Sequence, residues 1–67
     1  MALSARNQLP GTVKSVVLGT VMAEVVVDVG GQQIVSVITR HAVENLGIQA
    51  GDKVTAVVKS TEVMIEK

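Results

Sequence analysis

Two polar strings, one near each end of the sequence, contain the side chains best suited to chemistry. They are Ser4-Ala5-Arg6-Asn7-Gln8 and Lys59-Ser60-Thr61-Glu62. An oxyanion site needs positive charge and several N–H or O–H donors that converge on one small volume. Arg6 offers a planar fork of donors, Lys59 offers a point charge, and Ser4 and Ser60 offer hydroxyl groups. These residue types predict binding of a small dianion rather than catalysis.

The donor chemistry also predicts which anions such a site accepts. A site with donors and no acceptor favours an oxyanion that carries no proton at neutral pH, as molybdate, tungstate and sulfate do. Monohydrogen phosphate is disfavoured because its own hydroxyl lacks a partner there. The alternative is that these residues are solvated surface charges. Lys14-Ser15 repeats the dipeptide Lys59-Ser60 at a position where we expect only the solvent face of a strand.

Other kinds of site have little support in the sequence. The chain has no cysteine and one histidine, His41, so a metal site lacks a second nitrogen or sulfur ligand. Glu24 and Asp28 lie four residues apart, which in a strand separates them by roughly 13 Å, too far for a glycosidase pair. We therefore expect no enzymatic activity, no metal cation and no required cofactor.

The composition bounds the size of the fold and predicts self-association. With 67 residues there is room for one domain, over residues 1–67, and with no Phe, Trp or Tyr its core must come from aliphatic side chains, fifteen valines among them. Small domains of this kind are stabilised by disulfides, metals or oligomerisation. The first two are not expected here, so the sequence predicts a homo-oligomer with a large apolar interface.

The charge pattern argues against two classes of partner. Six basic and six acidic side chains balance, so no overall field attracts the chain to nucleic acid or to an anionic membrane. No stretch approaches the roughly 20 apolar residues of a membrane span, and the N-terminus lacks the apolar run of a signal peptide. We therefore expect a cytoplasmic protein.

Hydrophobic alternation and turn residues predict a mostly β fold. Gly30-Gly31 suits a type I′ hairpin turn, which needs positive φ at both central positions. Gly47 suits the end of a short helix. The predicted strands are residues 12–18, 21–29, 32–40, 53–60 and 62–66, with a helix over residues 41–46. A short helix between the third and fourth of five strands predicts an all-β fold of the OB type, a small Greek-key barrel.

With these motifs placed, the chain resembles the molbindins, the small molybdenum-pterin-binding or Mop proteins, and the related molybdate-binding domains of transport ATPases and of a molybdate-responsive repressor. The resemblance covers essentially the whole chain. It rests on Ser4-Ala5-Arg6-Asn7-Gln8-Leu9-Pro10-Gly11, Ala23-Glu24-Val25, Leu46-Gly47-Ile48 with Gly51, and Val54-Thr55-Ala56-Val57-Val58-Lys59-Ser60-Thr61-Glu62-Val63-Met64.

The resemblance implies an OB-like fold that assembles as a hexamer, a trimer of dimers, for intracellular molybdenum storage. It implies that molybdate or tungstate binds at subunit interfaces, with Ser4 and Arg6 from one subunit and Lys59 and Ser60 from a neighbour. A second kind of oxyanion site in the family uses backbone groups of one short segment. That segment matches Thr20, Val21, Met22 and Ala23.

Two other functions remain open at this point. OB folds commonly bind nucleic acid, but they do so through aromatic stacking and a net positive charge, and this chain has no aromatic residue and a net charge of zero. A purely structural oligomerisation module, whose apolar surface is its function, predicts a stable assembly that is indifferent to oxyanions.

Overall fold

The computed structural model describes residues 3–67, which form one antiparallel sheet of four strands and a short helix. Within the sheet the strands lie in the order β3-β2-β1-β4. In chain order the elements are β1 (Asn7–Leu18), β2 (Met22–Val29), β3 (Gln32–Thr39), α1 (Arg40–Leu46), β4 (Lys53–Val58) and a 3₁₀ helix (Ser60–Glu62).

The central strand β1 is longer than the sequence predicts. It begins at Asn7 rather than at residue 12, so Pro10 lies inside the strand, opposite Thr55 of β4. The first half of β1 pairs with β4, and the second half pairs with β2. Thr12 lies where the two halves meet, because it is paired with both neighbours.

A β-bulge at Lys14 interrupts the pairing of β1 with β2. The register shifts between Val13 and Ser15, and Lys14 has no partner in β2. The loop before β4 is bonded to this point, since the Val13 amide donates to the Asp52 carbonyl and the Gly51 amide donates to the Val13 carbonyl, each at 2.8 Å. Bulges bend a strand and increase its twist. Lys14 is exposed, as expected for a solvent-facing side chain.

The predicted hairpin between β2 and β3 is confirmed. Gly30 and Gly31 have φ values of 58° and 89°, and the Gly31 amide donates to Asp28 Oδ1 at 3.0 Å. One face of β2 supplies the core. The buried side chains are Val13, Ala23, Val25, Val27 and Val43.

The helix is confirmed with a shift at its start. Arg40, predicted as the last residue of a strand, is the first residue of α1, because Thr39 Oγ1 accepts a hydrogen bond from the Ala42 amide at 3.0 Å and caps the helix. The helix ends at Gly47, whose φ of 64° and ψ of 34° are left-handed, as predicted.

Two expectations are corrected by the structure. The fifth strand over residues 62–66 does not form: β4 ends at Val58, residues 60–62 form the 3₁₀ helix, and residues 63–67 lie in no strand. The closed barrel is also absent among residues 3–67, because β3 and β4 are the two edges of an open sheet. The apolar run Val63-Met64-Ile65 was thus not sufficient, since a strand also needs a partner strand to pair with.

The core of the single chain is small for its apolar content. Many large apolar side chains stay exposed, among them Val17, Val35 and Val37 on β1 and β3 and the tail residues Met64 and Ile65. No helix in the described part of the chain is long and apolar enough to cross a membrane.

Candidate oxyanion site

The first polar string lies immediately before β1 and is held by the side chain and amide of one glutamine. Gln8 Nε2 donates to the Ala5 carbonyl at 2.7 Å, and the Gln8 amide donates to the Arg6 carbonyl at 3.0 Å. These bonds fold the backbone of the string back on itself. Ser4 and Arg6 are exposed on the resulting bend. Sequence analysis missed this role of Gln8, although Gln is a residue type that readily bonds nearby backbone groups.

The second string follows β4 and forms a tight turn. Lys59 has extended backbone angles at the start of the 3₁₀ helix, and its carbonyl accepts from the Glu62 amide at 2.9 Å. Ser60 and Thr61 are exposed, and Glu62 brings one carboxylate into the string. The hydroxyls and the lysine are therefore presented on a short turn rather than on the regular strand that the sequence predicts.

The register of β1 and β4 brings the two strings to the same end of the sheet. Asn7 is paired with Val58, so Arg6 and Lys59 are the next residues beyond the last pair of the ladder. Antiparallel partners have Cα atoms about 5 Å apart, and residues just beyond them diverge only gradually. Each chain thus presents an arginine, a lysine and several hydroxyls at one sheet end.

The two cations at this end of the sheet have no acidic partner in the described part of the chain. Over residues 3–67 the one ion pair joins Arg40 to Glu44, on α1. Exposed Arg6 and Lys59 therefore keep their donors available to an anion.

The segment predicted as a second oxyanion site forms the turn between β1 and β2. Thr20 and Val21 are exposed at its tip, Met22 begins β2, and Ala23 is buried with its backbone paired to Leu18 and Ile38. The Gly19 amide closes the turn by donating to the Met22 carbonyl at 2.8 Å.

A cation that sequence analysis did not select lies beside this turn. Arg40 Nη1 donates to the Gly19 carbonyl at 3.3 Å, and the Arg40 amide donates to the Val21 carbonyl at 2.8 Å. Arg40 was missed because it was placed at the end of a strand. Its spacing of four residues from Glu44 is the pattern of a helical ion pair and was the available signal.

The side chains of residues 3–67 are not arranged to bind a metal ion. Among residues 3–67 no group of three or more His, Cys, Asp or Glu side chains is close enough together to hold a metal ion. His41 Nε2 lies 3.2 Å from Asn45 Nδ2 on the same helix, a local contact of an exposed histidine.

Comparison with known proteins gives a consistent result. The family model described as "TOBE domain" matches residues 3–65. The chain belongs to the TOBE domain family. A relative described as molybdenum-pterin-binding protein 2 of Clostridium pasteurianum is 53% identical over 66 residues, which is 97% of each chain.

Solved structures place this TOBE domain close to other members of the family. A molybdate binding protein from Sporomusa ovata is 49% identical over 100% of both chains, with a TM-score of 0.96. ModG, described as a cytoplasmic molybdate-binding protein and solved with molybdate bound, is 46% identical with a TM-score of 0.86. The match covers 90% of this chain and 43% of the ModG chain. The fold class predicted from the sequence, mostly β with one short helix, is confirmed at that level.

Proposed function

We propose that this TOBE domain binds molybdate, and also tungstate, through the sheet end that carries Arg6 and Lys59. The observation that carries the proposal is the β1–β4 register, which leads both polar strings out of the same end of the sheet. Relatives that are about half identical over the whole chain and whose names refer to molybdenum or molybdate support the choice of ligand. Ser4, Arg6, Lys59 and Ser60 are the proposed ligands.

We propose further that the working protein is an assembly of identical chains. Val63, Met64 and Ile65 project from the fold, and Met64 and Ile65 are 92% and 88% exposed. Between the unpaired edges of β3 and β4 lies an apolar groove of about 670 Å³, lined by Ile34, Ile38, Ile48, Val54 and Val58 among others. A tail strand of five residues is about 17 Å long, close to the length of six-residue β4.

The tail of one chain therefore supplies the missing fifth strand of another. Such exchange buries the exposed apolar side chains and closes each sheet into the barrel that the sequence predicts. A hexamer built as a trimer of dimers is the assembly we propose. Each binding site then combines Ser4 and Arg6 of one chain with Lys59 and Ser60 of its neighbour, since only the short 3₁₀ helix Ser60–Glu62 separates Lys59 from the exchanged tail.

The proposed cellular role is molybdenum storage in the cytoplasm. ModG, which shares the fold at 46% identity, is described as a cytoplasmic molybdate-binding protein. The turn over Thr20, Val21, Met22 and Ala23 is proposed as a second, weaker oxyanion site on each chain.

Calorimetric titration with molybdate, with sulfate and phosphate as controls, tests the ligand. We expect tight molybdate binding and a weak response to phosphate. Lys59→Ala is expected to weaken binding about 10- to 100-fold, the usual effect of losing one hydrogen bond to a charged group. The matched control is Lys14→Ala, because Lys14 is also an exposed lysine followed by a serine.

The same titration separates the alternatives. Equal affinities of the Lys59→Ala and Lys14→Ala variants would remove Lys59 from the site. A stable multimer that gives no heat with any oxyanion would favour a purely structural module.

A further inference from the structure

A cleft lies between the β1–β2 turn and the start of α1, at the opposite end of β1 from the polar strings. Its volume is about 460 Å³, and it is lined by Thr20, Val21, Thr39, Arg40, His41 and Glu44. The segment proposed above as a second oxyanion site forms one wall of this cleft. Charged side chains of α1 form the other wall.

The arginine in this cleft is held in place and still has donors to offer. Arg40 Nη1 donates to the Gly19 carbonyl at 3.3 Å, and Arg40 Nε lies 3.5 Å from Glu44 Oε2. A guanidinium carries five N–H donors, so these two contacts leave others unused. Because the Arg40 amide also binds the Val21 carbonyl, the guanidinium and the turn are fixed relative to each other.

The turn adds neutral donors. The backbone amides of Thr20 and Val21 donate to no acceptor within residues 3–67, and both residues are exposed. The Thr20 hydroxyl lines the cleft as well. Two amides at the start of α1 do not contribute, since the Arg40 amide donates to the Val21 carbonyl and the Ala42 amide donates to Thr39 Oγ1. Two amides, a hydroxyl and a guanidinium are the donor set that a small oxyanion requires.

One group in the cleft opposes an anion. The Glu44 carboxylate is itself an oxyanion, and it lies against the donor that Arg40 would offer to a ligand. Its side chain is 58% exposed and the pair is separated by one helical turn, so the contact is weak and easily exchanged. Glu44 therefore competes with a bound anion and adds repulsion from its negative charge.

We propose that Arg40 is the cation of the second oxyanion site, at the Thr20–Val21 turn, and that Glu44 is an internal competitor that lowers its affinity. This inference rests on the proposed second site and names the side chains that set its strength. The site takes a small tetrahedral dianion such as molybdate. It binds more weakly than the site at Arg6 and Lys59 because Glu44 must first release Arg40.

The test uses the assembled protein with both Arg6→Ala and Lys59→Ala, which removes both cations of the first site, and titrates the second site with molybdate by calorimetry. Adding Glu44→Gln is expected to tighten binding about two- to fivefold, the range given by loss of an exposed ion pair. Adding Arg40→Gln is expected to weaken it about 10-fold or more. Arg40→Lys keeps the positive charge but loses the planar fork of donors. Its affinity for molybdate is expected to lie between those of the Glu44→Gln and Arg40→Gln variants.

If Glu44 had a merely structural role, Glu44→Gln would not raise the affinity for molybdate. Unchanged or weaker binding in the Glu44→Gln variant would overturn the role of Glu44, and unchanged binding in the Arg40→Gln variant would overturn that of Arg40. If wild type binds molybdate and the Arg6→Ala, Lys59→Ala variant gives no heat, the second site is refuted while the first stands. If wild type itself gives no heat, molybdate binding as a whole is refuted.

Discussion

Replacing Ile65 by alanine tests strand exchange, because the single chain and the assembly predict opposite results. In the single chain this side chain is 88% exposed, and substitutions at such positions change the free energy of unfolding by less than about 0.5 kcal/mol. Buried in the groove of another chain, Ile→Ala costs about 2–5 kcal/mol. We expect about 2 kcal/mol per chain, near the lower end, because a terminal strand packs at the rim of the barrel.

For a domain of this size, about 2 kcal/mol lowers the melting midpoint by roughly 8–16 °C. The assay is thermal unfolding at two protein concentrations, with the mass of the assembly measured by sedimentation in the same buffer. Glu66→Ala, one residue further along the tail, is the control and is expected to leave both measurements unchanged. If Ile65→Ala melts within about 2 °C of wild type and keeps its mass, the tail is not buried in the assembly and the reasoning fails.

Two further predictions concern the scaffold. A Cβ added at Gly11 would lie 2.5 Å from the Asp28 carbonyl oxygen, so Gly11→Ala must push β1 from β2 and is expected to cost about 1–3 kcal/mol, measured by chemical denaturation at fixed protein concentration. A cost below about 0.5 kcal/mol would show that the two strands separate freely there. Thr39→Ala removes the cap on the Ala42 amide and is expected to cost about 1 kcal/mol in the same assay. Thr39→Ser, which keeps the acceptor oxygen, should stay near wild type, and equal losses in both variants would dismiss the cap.

The features that were predicted correctly from the sequence are those that depend on interactions between residues close together in the chain. The Gly30-Gly31 turn and the left-handed Gly47 depend on residues close together in the chain, and both are confirmed. The start of α1 at Arg40 was missed because the β-branched run before it continues the strand pattern up to the capping residue Thr39.

Features that depend on residues far apart in the chain could not be predicted from local sequence patterns. Strand β1 was predicted to begin at residue 12, but it already includes Pro10, which pairs with Thr55 in the half of β1 that has no β2 partner on its other side. The tail has the apolar run Val63-Met64-Ile65 that a short strand could use, yet residues 63–67 pair with no strand of their own sheet. Arg6 and Lys59 were selected from their residue types and from the family resemblance. Their common position at one sheet end follows from the β1–β4 register, which no local pattern specifies.

The length of β1 has a consequence for how the two proposed sites communicate. The strand runs 12 residues from Asn7, next to the polar strings, to Leu18, next to the Thr20–Val21 turn, a path of at most roughly 36 Å. Physiological salt screens charges over about 8 Å, so an anion at one end exerts almost no field at the other. Binding at the two ends is therefore additive unless it is coupled mechanically. Within one chain, β1 connects the two ends directly, and the bulge at Lys14 bends this strand between them.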